Sequence, residues 1–274
     1  MKKKLTAFLT YLVVLNLLVG CTKVPITGRK QMNLLPESQM MSLALTSYSD
    51  FLKQSKVVTG TADAQMVQRV GQRISHAVTV YLSKKKNTQR IAGYKWEFNL
   101  VDNKEMNAWC MPGGKVVVYS GLLPVTQDED ALAVVLGHEI AHAIARHGNE
   151  RMSEQLALQL GGVGLQVATA NKPQQTQSIF NQAYGLGSAI GIALPHSRMQ
   201  ETEADEMGLI FMALAGYNPK VASSFWQRMK AMTGNNKPPA LLSTHPSDEA
   251  RINNMKVFVP KAEAYVRTYG ILAK

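Results

Sequence analysis

Thr126 to Gly148, TQDEDALAVVLGHEIAHAIARHG, carries H-E-x-x-H inside a segment with the marks of a buried helix. Thr126 with Glu129 three residues on forms a capping box, and Asp128, Glu129 and Asp130 put negative charge at the positive end of the helix dipole. Arg146 and His147 fall in the last turn, and Gly148 is placed to take a left-handed cap. Between these ends Leu132, Val135, Leu136, Ile140 and Ile144 stand among alanines, so the helix is expected to run through a core. At about 100° per residue, His138 and His142 stack one turn apart with Glu139 beside them. Two imidazoles so spaced can hold one zinc, and burying them around a glutamate is costly without such a partner. A lone histidine here would more often be a hydrogen-bonded core residue.

Upstream, Lys2, Lys3 and Lys4 precede a mostly apolar stretch, Leu5 to Leu18, too short to span a bilayer convincingly. It ends in Leu18-Val19-Gly20-Cys21, which resembles a lipobox. On that resemblance residues 1–20 are a lipoprotein signal peptide, Cys21 is lipidated and residues 21–36 are a tether. Fatty chains would then anchor residues 37–274, a single domain that carries the H-E-x-x-H helix. Cys110 is the other cysteine, so no internal disulfide is expected after processing. The net charge of +11 is spread along the 274 residues, which fits attraction to anionic membrane surfaces and argues against nucleic acid as a partner.

Helical spacing of apolar residues predicts helices from Glu37 to about Gln54 and from Ala62 to Leu82, with His76 an ordinary surface or packing residue. Strands follow at Tyr94 to Val101, Met106 to Met111 and Lys115 to Tyr119, the last two joined by Pro112-Gly113-Gly114. Asn107, Ala108, Trp109 and Cys110 read either as a core hairpin with Trp109 packed inside or as an edge that binds substrate as an added strand. Beyond the H-E-x-x-H helix, LALQLGGVGLQVATA and AYGLGSAIGIAL are small, apolar runs: close-packed helices, a membrane-touching surface or a gate.

Further on, Glu201 and Asp205 lie four apart on one helix face in S-R-M-Q-E-T-E-A-D-E-M-G. Glu203 is offset by about 200° from Glu201, so the two cannot point at one metal. H-E-x-x-H followed by S-R-x-x-E-x-E-A-D-x-x-G resembles the HtpX-like and CAAX-prenyl endopeptidases, gluzincin zinc metallopeptidases. The resemblance implies an α+β, predominantly helical, zincin-like domain with a small sheet packed against the H-E-x-x-H helix. It makes Glu201 the third ligand beside His138 and His142, Asp205 the acceptor that orients a ligand histidine, and Glu139 the general base. His245, in H-P-x-x-x-x-R-I, is similar to the family's C-terminal element and would either donate to the oxyanion or occupy the open coordination position. Arg251 is expected to pair with a carboxylate. His147, off the ligand face of a continuous helix, and His196, outside the family pattern, are left out.

The family's membrane spans and the helical repeat domain of some periplasmic relatives are missing from this sequence, so it is most similar to the short bacterial lipoprotein branch. That implies one zinc, although the same ligands accept other divalent ions. It also implies protein and peptide substrates in the periplasm, a lipid anchor on the outer membrane and contact with the outer-membrane assembly machinery. The rival expectation is an assembly factor that cleaves rarely because His245 keeps its metal shut.

Overall fold

The computed structural model describes residues 21–160, 173–183, 197–232, 239–245 and 249–272. The leader, most of the two small apolar runs, His196 and residues Pro246, Ser247 and Asp248 lie outside them.

The H-E-x-x-H segment is helix α3, Glu129–Ala145, and every residue from Ala131 to Ala145 is buried. Its ends differ from the sequence expectation. Asp128, not Thr126, is the N-cap, with Oδ1 accepting from the Ala131 amide at 2.8 Å. Thr126 closes a single preceding turn, and Gln127 at φ 68° separates that turn from α3. At the other end Arg146, at φ 62°, takes the left-handed cap. His147 therefore opens a new helix, α4 (His147–Leu160), with Gly148 inside it. Buried Arg90 caps the end of α3, its Nε donating to Ile144 O at 2.6 Å and its Nη2 to Ala145 O at 2.8 Å. A guanidinium there satisfies orphan carbonyls and suits the negative end of the dipole.

Helix α1 (Glu37–Gln54) has the expected bounds and α2 (Ala62–Lys84) runs one residue pair longer. The strands are β1 (Cys21–Lys23), β2 (Lys30–Met32), β3 (Val57–Val58), β4 (Glu97–Val101), β5 (Ala108–Met111) and β6 (Lys115–Tyr119). The sheet order is β3-β4-β6-β5, with β4 and β6 parallel and the outer pairs antiparallel. Both faces are covered, which is why β6 reads as an unbroken apolar run. Phe98, Cys110, Val116 and Val118 face the main core with α2 and α3. Trp109, Met111, Val117 and Tyr119 face a second cluster with α1 and α4.

Three further helices complete the main core: α6 (Arg198–Leu214), α7 (Ala222–Ala231) and α8 (Glu249–Tyr269); α5 (Pro173–Ala183) lies in the second cluster. The whole is an α+β, predominantly helical domain whose small sheet packs on α3. Helices α3 and α6 cross at a glycine pair. A Cβ on Gly208 would stand 2.8 Å from the His138 backbone nitrogen, and one on Gly137 2.7 Å from Gly208 O. Gly208→Ala is therefore expected to push the helices apart at a cost of about 1–3 kcal/mol, read from denaturant midpoints. An unchanged midpoint would show that the crossing is slack.

Residues 21–36, read above as a tether, fold against the domain. β1 and β2 pair antiparallel from Cys21↔Met32 to Lys23↔Lys30, and Val24, Gln31 and Leu35 are buried. Among the described residues, no helix is long and apolar enough to cross a membrane.

Candidate metal centre

His138 and His142 on α3, Glu201 in the first turn of α6, and His245 after the short turn Ala240–Thr244 converge on one point. One donor atom from each lies within 4.8 Å of the others, and all four residues are buried. His138 Nε2 is 3.0 Å from His142 Nε2 and 3.3 Å from His245 Nδ1. Glu201 Oε1 is 2.9 Å from His245 Nδ1 and 3.3 Å from His142 Nε2. Donors arranged tetrahedrally about 2.0–2.1 Å from one zinc stand ~3.3 Å apart, and three imidazoles with a carboxylate are donors that zinc takes. The residues fit the metal.

Local sequence explains how each donor is held. Ser197 caps α6, accepting from the Gln200 amide at 3.2 Å, which fixes Glu201 in the first turn. The glycine crossing then lets α6 approach α3 closely enough for Glu201 to reach both histidines. The Leu241 amide donates to Met106 O at 3.0 Å, joining the His245 turn to the loop before β5.

Asp205 Oδ1 lies 2.9 Å from His138 Nδ1. Arg251 holds Asp205 through two contacts of 2.8 Å and Glu201 Oε2 through one of 2.7 Å, with its guanidinium 4.5 Å from the centre of the Trp226 ring. Glu139 Oε1 is buried, 3.4 Å from His245 Nε2, and accepts no hydrogen bond. Glu203 faces away from the donor cluster and bonds His147.

Burial opposes charge on His138, yet Glu201 and Asp205 outweigh it and hold the ring up to about 9. Burial drives His142 well below its ordinary value. It also lifts Glu139 above the usual carboxylate range. Glu201 is equally buried, but His245, His138 and Arg251 hold it well below that range. The two carboxylates are thus separated in basicity, one fixed as an anion and the other ready to carry a proton.

Strand β5 is an edge of its sheet. Trp109 is buried edge-on to Phe51 with ring centres 5.1 Å apart, so the side chain does pack inside. The main chain is a separate matter. The Tyr119 amide donates to Asn107 O at 3.0 Å, so by antiparallel alternation the Ala108 and Cys110 peptide groups turn away from β6. The Asn107 side chain takes the Ala108 amide at 2.9 Å. Cys110 faces α3, where burial and then the Glu139 charge push its thiol well up.

Sequence reasoning missed His147. Its Nδ1 is 2.7 Å from His142 Nδ1 and its Nε2 2.9 Å from Glu203 Oε2. The angular argument that set it aside assumed a helix continuing to Gly148, whereas the left-handed Arg146 swings the chain back toward His142. It also missed Thr27 and Arg29, which hold Glu203 from the other end of the chain. A basic residue in a supposed tether was the only sequence signal for that contact.

The model of peptidase family M48 matches residues 62–258. The chain is 37% identical over 193 residues to the mitochondrial metalloendopeptidase OMA1 of Schizosaccharomyces pombe, covering 69% of this chain and 55% of that protein. With the human mitochondrial OMA1 it shares 30% over 245 residues, 87% of this chain and 46% of that one. With the beta-barrel assembly-enhancing protease of Yersinia pestis it shares 32% over 166 residues, 59% and 34%. The chain thus spans about half the length of the first two relatives and a third of the other. With the matched region containing α3, α6 and the His245 turn, the chain belongs to peptidase family M48.

Proposed function

We propose that the chain is a zinc-dependent endopeptidase of the bacterial cell envelope, cutting misfolded or unassembled envelope proteins. One observation carries the chemistry: four buried donors, His138, His142, Glu201 and His245, close on a single point with Glu139 beside it. Zinc held there supplies a Lewis acid for a peptide carbonyl and lowers the pKa of water towards about 7. Glu139, raised by burial, takes the proton of the attacking water on its carboxylate and delivers it to the leaving amide nitrogen. Asp205 and Arg251 keep His138 and Glu201 in place, and the edge from Asn107 to Cys110 receives substrate as an added strand through the outward Ala108 carbonyl and Cys110 peptide groups.

Support for the envelope comes from the leader and from Leu18-Val19-Gly20-Cys21, read as a lipidation site on the outer membrane facing the periplasm. These features favour the short lipoprotein branch of the HtpX-like enzymes. The Yersinia relative, a beta-barrel assembly-enhancing protease by name, supports outer-membrane assembly partners.

His245 favours a second reading. Its Nδ1 lies within the donor set, so the resting site is closed by protein and the chain would be an assembly factor that cleaves rarely. The two readings separate in one assay of the full-length chain in detergent, with unfolded outer-membrane protein and casein as substrates. A constitutive peptidase cuts both, stops when a chelator removes zinc and recovers on its return. A self-blocked one holds one zinc, cuts little and gains activity in His245→Ala. Neither zinc nor cleavage in either form would overturn both.

A further inference from the structure

We infer that the N-terminal hairpin belongs to the metal site: Thr27 and Arg29 hold Glu203, Glu203 fixes the proton on His147, and His147 orients the metal-holding ring of His142. The inference rests on reading the donor cluster as a metal centre, and it concerns how that centre is held.

The proton arrangement follows from three contacts. His142 turns Nε2 into the donor cluster, 3.3 Å from Glu201 Oε1. A metal takes the lone pair of Nε2, so the proton of neutral His142 stands on Nδ1. Among the described residues His147 Nδ1, 2.7 Å away, stands to accept it. His147 Nδ1 can accept only if its own ring proton is on Nε2, and there Glu203 Oε2 receives it at 2.9 Å. The opposite tautomer of His147 would set two N–H groups against each other. Each assignment forces the next, and Glu203, a carboxylate with nothing to donate, sets the direction.

Glu203 is itself held by the hairpin. Thr27 Oγ1 donates to Oε1, and Arg29 Nε donates to Oε2 at 2.9 Å. Arg29 also grips Glu150 of α4 through Nη1 at 2.6 Å and Nη2 at 2.8 Å. His147 is fully buried and Glu203 is 5% exposed, so water does not compete for these contacts. The two ligand histidines are therefore supported differently. His138 reaches its carboxylate directly, whereas His142 reaches one through a second imidazole, and that carboxylate is clasped by a segment from the far end of the chain. Thr27, Arg29, Glu203 and His147 are positioning residues, since none touches the donor point.

Histidine-labelled, zinc-loaded full-length protein gives the first test without any substitution. NMR is expected to show an exchange-protected Nδ1 proton on His142, coupled through its hydrogen bond to His147 Nδ1. A His142 proton on Nε2, or no coupling, would overturn the inference. The second test is zinc affinity by chelator competition, with circular dichroism confirming the fold. His147→Ala is expected to weaken zinc about 10- to 100-fold, as loss of such an outer partner does elsewhere. His147→Asn, whose amide oxygen can accept at the Nδ1 position, is expected to recover part of that loss. Arg29→Met is expected to weaken zinc several-fold, and Glu150→Gln, which leaves the Thr27 and Arg29 contacts to Glu203 available, by a clearly smaller factor. Native affinity in folded His147→Ala, or equal effects of Arg29→Met and Glu150→Gln, would overturn it. A native chain that takes up no zinc would instead overturn the metallopeptidase reading on which it stands.

Discussion

Glu139→Gln is expected to fold, to bind zinc as tightly as the native chain, and to lose peptide cleavage by about 10²- to 10⁴-fold, the usual contribution of a positioned general base. The reasoning is local. Glu139 is buried, its Oε1 accepts no hydrogen bond, and it lies outside the four-donor set, so the amide replaces no ligand and breaks no contact that holds the fold. What disappears is the ability to take a proton. Glutamine keeps the volume and so separates proton transfer from packing. Zinc content and a thermal melt in the same preparation serve as controls. Cleavage by the purified variant within tenfold of native would remove Glu139 from the mechanism, and loss of zinc together with activity would make it a ligand instead.

Arg251→Met should cost the metal-free chain about 3–5 kcal/mol, the penalty for breaking a buried ion pair by removing one partner. For a domain of this size that corresponds to a fall in Tm of about 6–20 °C. Arg251 grips two carboxylates at once, Asp205 through Nε and Nη2 and Glu201 through Nη1, and both acids are almost fully buried. Methionine preserves much of the packing against Trp226 while leaving both anions short of a cation. A metal ion restores part of what was lost, because it places positive charge beside Glu201. The destabilisation should accordingly shrink when zinc is added, more than it does for a surface substitution such as Lys56→Met. A metal-free Tm within 3 °C of native would show that solvent or the neighbouring histidines neutralise the pair unaided.

Much of this is legible in the sequence alone. The buried helix announced itself through apolar residues on all sides and acids at its start, and α1 follows the periodicity of its sequence from Glu37 to Gln54. The ligand spacing on α3 and α6 is equally local, being a matter of three or four residues on one helix. The rest depended on contacts between distant segments. Arg29 meets Glu150 and Glu203 across more than a hundred residues, and no periodicity encodes such a meeting. The role of His147 turned on one backbone angle, since Arg146 adopts a conformation that sequence rules assign to glycine, and Gly148 stood nearby to claim it. The N-cap at Asp128 falls two residues later than expected: two good capping residues stood close together, and burial of Thr126 in the preceding turn left Asp128 to cap α3. For β5, the packed reading describes the Trp109 side chain, while the backbone lies at the edge of the sheet, where substrate binding is a proposal.

Extended, residues 21–36 would reach ~50 Å and let a domain fixed at residue 21 sweep a wide volume. Paired from Cys21↔Met32 onward, the same residues double back and leave no leash. If the proposed attachment at Cys21 holds, the donor cluster would therefore stay within a short reach of the anchor, and how close a peptide bond is brought to that anchor would limit which bonds can be cut.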